Sequence, residues 1–277
     1  MPELPDLEYI VKRFRTALPG RTILDVKVKE PIVVRMLLSG SFGQALAGEE
    51  FGEIHRHGPF LSFTLRSKEL VIHPMLTGRL HLAQGETKTP AYLCFSLYLD
   101  GGNVLHYSDQ KKMGKVYVTR RHYYAQILGY LDQGVDIISG EFTMELFKDL
   151  IAQSRRQVRV FLMDQAVLSA LGNAYSDEIL FEAGIHPKNL CSQLAAEEVE
   201  KLYGSIRSVV SWGIEEVEKA AKPIEAKVRD HMRVRNRKGE PCPGCGTTIR
   251  RAQVYGYDTF FCPQCQPAKR KQLITWN

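Results

Sequence analysis

The feature that most constrains the fold is a pair of cysteine knuckles near the end of the chain, CPGC and CPQC. Four thiolates at this spacing favour one tetrahedral Zn²⁺ per chain, bound by Cys242, Cys245, Cys262 and Cys265. A zinc without an open ligand position is structural, and a segment this small needs the metal to fold. Free thiols or a redox pair are the alternatives, and the knuckle-like CPxC turns argue against a redox pair. The intervening TIRRAQVYGYDTFF predicts a β-hairpin turning at about Gly256.

Charge and length indicate a multidomain protein with a polyanionic partner. The 277 residues are enough for two or three domains. Residues 219–277 hold 13 Lys/Arg and 4 Asp/Glu, a net charge of +9, against +6 for the whole chain. Such a block suggests a nucleic-acid partner, although a solvated basic tail is the alternative. No apolar run has the length of a membrane span and no secretion signal is recognised, so we expect an intracellular protein that does not enter membranes.

The predicted secondary structure changes twice along the chain. LPDLEYIVKRFRTALPG predicts an amphipathic helix directly after the first residues, because its apolar positions follow the 3.6-residue period. Residues 21–120 alternate like strands, and YLCFSLYLDGGNVLHYS predicts a hairpin with DGGN as its turn. From about residue 142 the pattern is helical, and after Pro223 a basic segment leads into the cysteines.

The first residues, MPELPDLE, carry an unusual candidate nucleophile. If Met1 is removed, Pro2 has a free secondary amine. An α-amine has a pKa near 8, so a substantial fraction is neutral at cellular pH, whereas a lysine with a pKa near 10.4 is almost wholly protonated. An iminium formed by the Pro2 amine would be a good electron sink for β-elimination, and Glu3 beside it could act as general acid–base. The alternative is that Pro2 only shapes the start of the helix.

Three motifs in order, MPELPDLE, LGNAYSDEILFEAGIHP and CPGC…CPQC, resemble the formamidopyrimidine-DNA glycosylase and endonuclease VIII family over essentially the whole chain. The resemblance implies a multidomain α+β fold: an N-terminal β-sandwich with flanking helices, a helix–two-turn–helix domain and a four-cysteine zinc finger. We predict boundaries at 1–134, 135–225 and 226–277.

The same resemblance implies a base excision repair enzyme. It would excise damaged bases and cut the abasic site through a Schiff base on Pro2, with Glu3 assisting. The implied partner is damaged DNA, bound by a monomer in the bacterial cytoplasm at the nucleoid. A non-catalytic or lyase-only relative that binds damaged DNA is the alternative, and an RNA-binding zinc ribbon is a weaker one.

The resemblance also implies DNA contacts in the helical motif. Asn173 matches an asparagine that holds a phosphate, a task suited to side-chain amides and helix N-termini. Tyr175 and Glu178 match the rest of the motif, and packing or helix capping is the alternative for both.

Side chains that fill the hole left by a flipped nucleotide are implied in two further stretches, HPMLTG and DQKKMG. Leu76 falls at the family's methionine position, with Met75 one residue ahead and a core position as the alternative for Met75. Lys111 falls where an arginine faces the orphaned base, Lys112 where an arginine meets phosphate, and Met113 where a phenylalanine stacks.

Departures from the family pattern at Pro59, at Tyr257 and in DQKKMG, where lysines replace arginines and Met113 replaces a phenylalanine, indicate altered substrate choice. Pro59 replaces a lysine that lies close to the N-terminal proline in the family. A positive charge that would help keep the Pro2 amine neutral is therefore lost, unless Arg56 or His57 compensates. Tyr257 replaces an arginine that grips phosphate in the zinc finger, and tyrosine offers no bidentate charged clamp. We therefore hypothesise single-stranded, bulky, cross-linked or abasic lesions as substrates.

Overall fold

A computed structural model describes residues 1–85 and 88–269, so residues 270–277, the end of the predicted finger domain, lie outside the described residues. The chain divides into two compact units. The first comprises Met1–Gln133 and Ile214–Val228, and the second comprises Gly134–Gly213 and the residues from Arg229 onward. The three domain boundaries given above remain a prediction.

Helix α1 (Leu4–Ala17) follows the first three residues, as predicted. Pro5 lies in its first turn, where no intrahelical N–H is needed, and Asp6 lies at the positive end of the helix dipole. The face bearing Leu7, Ile10 and Phe14 is buried. The N-terminal residues are therefore attached to a helix that is fixed by packing.

The first unit contains two sheets, which confirm the predicted β-sandwich. The four-stranded sheet has the order β1-β7-β8-β6 and the five-stranded sheet the order β2-β9-β5-β4-β3, with only β2 and β9 parallel. The strands are β1 Ile23–Val28, β2 Val34–Met36, β3 Phe51–His57, β4 Phe60–Leu65, β5 Lys68–His73, β6 Gly78–Gln84, β7 Leu93–Leu99, β8 Asn103–Asp109 and β9 Lys115–Arg120, with a short helix α2 at Phe42–Leu46. The predicted hairpin is β7–β8, and it turns through Gly101 and Gly102, both at positive φ.

The second unit is mainly helical and ends in a hairpin. Its elements are α3 Met144–Ala152, α4 Val158–Leu162, α5 Asn173–Ala183, α6 Ala196–Ala220, β10 Arg250–Val254 and β11 Tyr257–Phe261. The last residues of α6, from Ile214, belong to the first unit. Strands β10 and β11 pair antiparallel and turn at Tyr255 and Gly256, with φ values of 50° and 78°. The α+β fold and the predicted hairpin at Gly256 are confirmed.

Candidate functional site

Pro2 and Glu3 are buried just ahead of α1. The Glu3 backbone N–H donates to the Asp6 carboxylate at 2.8 Å, which fixes the first turn of the helix. Pro2 lines a narrow cavity together with other residues of the first unit, among them Leu61, Pro74, Gly78, Arg79 and Lys227. The candidate nucleophile and its carboxylate are thus held on a rigid element beside a cavity.

The amine at the N-terminus lies in cationic surroundings. The Met1 amine donates to the Leu76 carbonyl at 3.1 Å, and the Lys227 side chain lies within hydrogen-bonding reach of it. Burial, and after it Lys227, lowers the pKa of this amine from 8.0 to about 5, while Glu3 acts in the opposite direction and Arg79 adds a smaller lowering. This pKa is that of the Met1 amine, and the Pro2 amine would border the same cavity after Met1 is removed, because Pro2 already lines it.

The residues proposed to replace the missing lysine are engaged elsewhere. Pro59 follows Gly58 in the turn between β3 and β4 and is buried. The Arg56 guanidinium donates to Glu8 at 2.6 Å and to the Gly58 carbonyl at 3.1 Å. His57 stacks on Tyr130. The cation found beside the amine is instead Lys227, far away in the sequence.

The loop that carries HPMLTG presents Met75 and Leu76. The Leu76 side chain is 43% exposed, and Met75, at φ 51°, is only partly buried and so is not a core methionine. The Met75 N–H donates to Nδ1 of His73 at 3.0 Å. Burial lowers the pKa of His73 to about 4, so the ring stays neutral and can accept this bond.

The loop that carries DQKKMG is joined to the HPMLTG loop through a buried aspartate. Asp109 accepts from the Thr77 hydroxyl, from the Lys111 N–H at 3.2 Å and from the Gly114 N–H at 2.6 Å. The loops that carry HPMLTG and DQKKMG therefore meet, which the separate motifs did not indicate. The aspartate that opens DQKKMG was the available signal.

The tip of this second loop is exposed. Met113 is 43% exposed, as expected of a stacking side chain. Lys111 is also exposed, whereas the Lys112 ammonium forms an ion pair with Glu30 at 2.9 Å. A phosphate contact by Lys112 would have to compete with this pair.

Asn173 begins α5 with its side-chain amide oriented by an arginine. Arg159 donates from Nη2 to Asn173 Oδ1 at 2.8 Å. Because a guanidinium has only donors, the oxygen must face Arg159, and the NH₂ group remains to donate to an anion. The same arginine, fully buried, donates to Asp177 and to the Asp258 carbonyl at 2.9 Å. Arg159 was not singled out in the sequence, where it reads as one of several scattered arginines.

Tyr175 and Glu178 lie in the interior of the second unit. The Tyr175 hydroxyl is 3.2 Å from Nε2 of His231, and its ring packs so closely on Gly213 that a Cβ there would lie 2.3 Å away. Glu178 accepts backbone N–H groups from three successive residues, Arg233, Val234 and Arg235. Both positions correspond to the packing alternative, and a direct DNA contact by Tyr175 stays a prediction.

The four cysteines come together as predicted. Their Sγ atoms all lie within 4.8 Å of one another, and the cluster is formed by Cys242, Cys245, Cys262 and Cys265. Four convergent thiols fit one structural zinc, with no position left for a substrate. The metal would hold the β10–β11 hairpin, because Ile249 and Phe260 pack in the same small core.

Tyr257 lies on this hairpin and is 53% exposed. The neighbouring Asp258 carboxylate accepts from Arg251 Nε at 2.8 Å, so its negative charge is compensated on the hairpin itself. The backbone carbonyl of Asp258 faces the other way and accepts from Arg159 and Arg235.

Among residues 1–85 and 88–269, no helix is long and apolar enough to cross a membrane.

Comparisons with known proteins agree along the whole chain. Residues 1–116 match the formamidopyrimidine-DNA glycosylase N-terminal domain, 133–223 the H2TH domain of the same enzymes, and 239–268 the zinc finger found in FPG and IleRS. The formamidopyrimidine-DNA glycosylase of Symbiobacterium thermophilum is 34% identical over 96% of this chain and 90% of its own, and a Bacillus cereus one is 31% identical over 96% and 99%.

Solved structures give the same result. Lactococcus lactis Fpg in complex with abasic-site DNA superposes with a TM-score of 0.85 at 26% identity, covering 96% of this chain and all of that one. The Fpg protein of Thermus thermophilus gives 0.83 at 28% identity, covering 97% and 100%. The chain belongs to the formamidopyrimidine-DNA glycosylase family.

Proposed function

We propose that this protein is a monomeric DNA repair glycosylase with abasic-site lyase activity, and that its nucleophile is the amine of Pro2 after removal of Met1. The observation that carries the proposal is the position of Pro2, which is buried beside Glu3 and lines one cavity together with Lys227. In this cavity burial, and after it Lys227, lowers the pKa of the Met1 amine to about 5. The same two causes would lower the pKa of the Pro2 amine and favour its neutral form, which a nucleophile requires.

The chemistry follows from these groups. The Pro2 nitrogen forms a bond to C1′ of the damaged nucleotide as the bond from C1′ to the base breaks. Glu3, buried beside it, exchanges the protons that opening of the sugar requires. Breaking of the C1′–O4′ bond opens the sugar and leaves an iminium between Pro2 and C1′. The iminium draws electrons away from C2′, so loss of the C2′ proton expels the 3′-phosphate by β-elimination.

Each unit supplies its own DNA contacts in this proposal. Leu76, Met75 and Met113 in the first unit fill the hole left by the flipped nucleotide, as apolar side chains do in other DNA-bending proteins. In the second unit the oriented amide of Asn173 at the start of α5 binds a phosphate. Zinc contributes by holding the hairpin and takes no part in the reaction.

Two lines of comparison support this assignment. The curated relatives are formamidopyrimidine-DNA glycosylases, and structures of similar proteins hold DNA with an abasic site or an oxidised pyrimidine. We also propose that the enzyme works at the bacterial nucleoid, where its substrate is, and a fluorescent fusion that does not overlap the chromosome would argue against this location.

The test is borohydride trapping on one abasic and one oxidised-guanine oligonucleotide. Reduction of the imine gives a stable protein–DNA band, expected from the processed chain. A stable N-terminal extension, which places Pro2 in a peptide bond, should abolish the band, while the same extension at the C-terminal end should not. A band that survives N-terminal extension would exclude Pro2 as the nucleophile. A band on the abasic strand alone would indicate a lyase-only enzyme.

Glu3→Gln provides a second test. We expect the trapped product to form at least tenfold more slowly while binding to abasic DNA is kept, since general acid–base groups typically contribute about 10²–10⁴-fold. If neither the processed chain nor this variant gives a band with Met1 removal confirmed by mass, the protein is a non-catalytic DNA-binding relative.

A further inference from the structure

A groove of about 410 Å³ lies in the second unit, between α4 and the tip of the β10–β11 hairpin. We call it the tyrosine groove and define it by its lining residues Arg156, Arg159, Val160, Met163, Asp164, Val254, Tyr255 and Tyr257. Val160, Met163 and Val254 supply apolar parts of its wall, and Tyr255 and Tyr257 are 78% and 53% exposed. Two large, exposed rings beside a partly apolar cleft of this size are typical of a site for a flat ligand.

We propose that the tyrosine groove holds an unpaired nucleobase of the bound DNA, stacked on Tyr255 or Tyr257. This inference rests on the proposed function and names the substrate class, which is DNA with unpaired bases near the lesion. Every base has a π-face, so stacking on aromatic side chains tolerates any sequence. A base inside a duplex is already stacked on its neighbours and is not available to such a groove.

The groove adjoins the residue proposed to bind phosphate. Arg159 lines the groove and also donates to Asn173 Oδ1 at 2.8 Å. The proposed phosphate site and the groove therefore share one side chain, so a strand bound at Asn173 would have its bases near the groove.

Arginines on one wall of the groove are consistent with a nucleic-acid strand. Arg156 lines the groove, is half-exposed and pairs with Asp164, and Arg155, the residue before it, is exposed. Cationic groups that follow the backbone, combined with aromatic platforms for the bases, are the arrangement used by proteins that bind single strands. Tyr257 thus supplies stacking where a guanidinium would have supplied a phosphate clamp.

The experiment uses a single-stranded oligonucleotide with one 2-aminopurine between abasic-analogue residues, which is bright because it has no stacking neighbours. Binding to the intact protein should quench the fluorescence. Tyr255→Leu/Tyr257→Leu should abolish the quenching and weaken single-strand binding by roughly tenfold or more. Tyr255→Phe/Tyr257→Phe should retain both, because the ring is kept. Tyr123→Leu, an exposed tyrosine in the first unit, is the matched control.

Quenching that persists in the double leucine variant would overturn the proposal. So would equal loss of binding in the leucine and phenylalanine variants, because the hydroxyl groups, and not the rings, would then contact the DNA. The zinc content of each variant should be measured to show that the hairpin is intact. Trapping on an abasic duplex tests the proposed function separately, since it needs Pro2 and not the groove: trapping without quenching refutes only the groove, and quenching without trapping refutes only the enzyme.

Discussion

Lys227→Met tests how the nucleophile is kept neutral. Burial, and after it Lys227, lowers the pKa of the Met1 amine from 8.0 to about 5, and the Pro2 amine released by removal of Met1 would border the same cavity. Because burial makes the larger contribution, we expect removal of the charge to raise the pKa by roughly one unit, at the low end of the effect of a nearby charge. The reactive species is the deprotonated amine, so a higher pKa moves the rising part of the pH–rate profile to higher pH.

The size of the effect depends on the pH of the assay. At a pH equal to the pKa of the Pro2 amine in the unaltered protein, a rise of about one unit lowers the neutral fraction from about one half to about one tenth, so Schiff-base formation slows by about fivefold. At a pH well above this pKa the rate hardly changes. The measurement is the single-turnover rate of borohydride trapping on an abasic duplex between pH 4 and 9. Lys219→Met, which removes an equally charged but exposed lysine from α6, is the control, and Lys227→Arg should restore the original profile. Identical profiles for Lys227→Met and Lys219→Met would refute the reasoning.

Three further predictions concern the second unit. Cys262→Ser, or a strong chelator, should release the zinc and weaken binding to abasic DNA, measured by metal analysis with binding titration; full binding by metal-free protein would contradict the structural role. Asn173→Ala should weaken duplex binding by about 1 kcal/mol for every sequence and leave its salt dependence unchanged, because a neutral amide releases no counterions; unchanged affinity in a binding titration would count against a phosphate contact. Gly213→Ala should lower the free energy of unfolding by about 1–3 kcal/mol, because the new Cβ would meet the Tyr175 ring at 2.3 Å. Thermal unfolding measures this loss, and Gly204→Ala, where the space is open, is the control.

Local patterns in the sequence were sufficient for α1, the β7–β8 hairpin and the zinc hairpin. Each is specified by residues close together in the chain: the apolar period of α1, the two glycines after Asp100, and the Tyr255-Gly256 turn between the cysteine knuckles. The family motifs added the order of the domains, and the roles that they imply for Met75, Leu76 and Met113 stay a prediction.

The remaining features depend on contacts that no local pattern encodes. Pro59 indicated that a positive charge was missing, but the cation beside the amine comes from Lys227, 168 residues later. Asp109 joins two loops whose motifs lie far apart in the sequence. Arg159 is one of many arginines in the sequence, and only the fold shows that it donates to Asn173. Side-chain pairings between distant segments are set by tertiary packing, so sequence periodicity does not reveal them.

The buried guanidinium of Arg159 has a consequence for the enzyme under oxidative stress. One of its N–H groups orients the Asn173 amide, and the same nitrogen also donates to the hairpin backbone at Asp258, whose strand is anchored by the cysteine cluster. Oxidants that modify zinc-bound thiolates would release the metal and free this strand, and the amide would lose part of its support. Phosphate binding by Asn173 would then depend on the redox state of the four cysteines, which are not themselves proposed to contact DNA. The conditions that create oxidised bases would therefore also reduce the capacity to repair them.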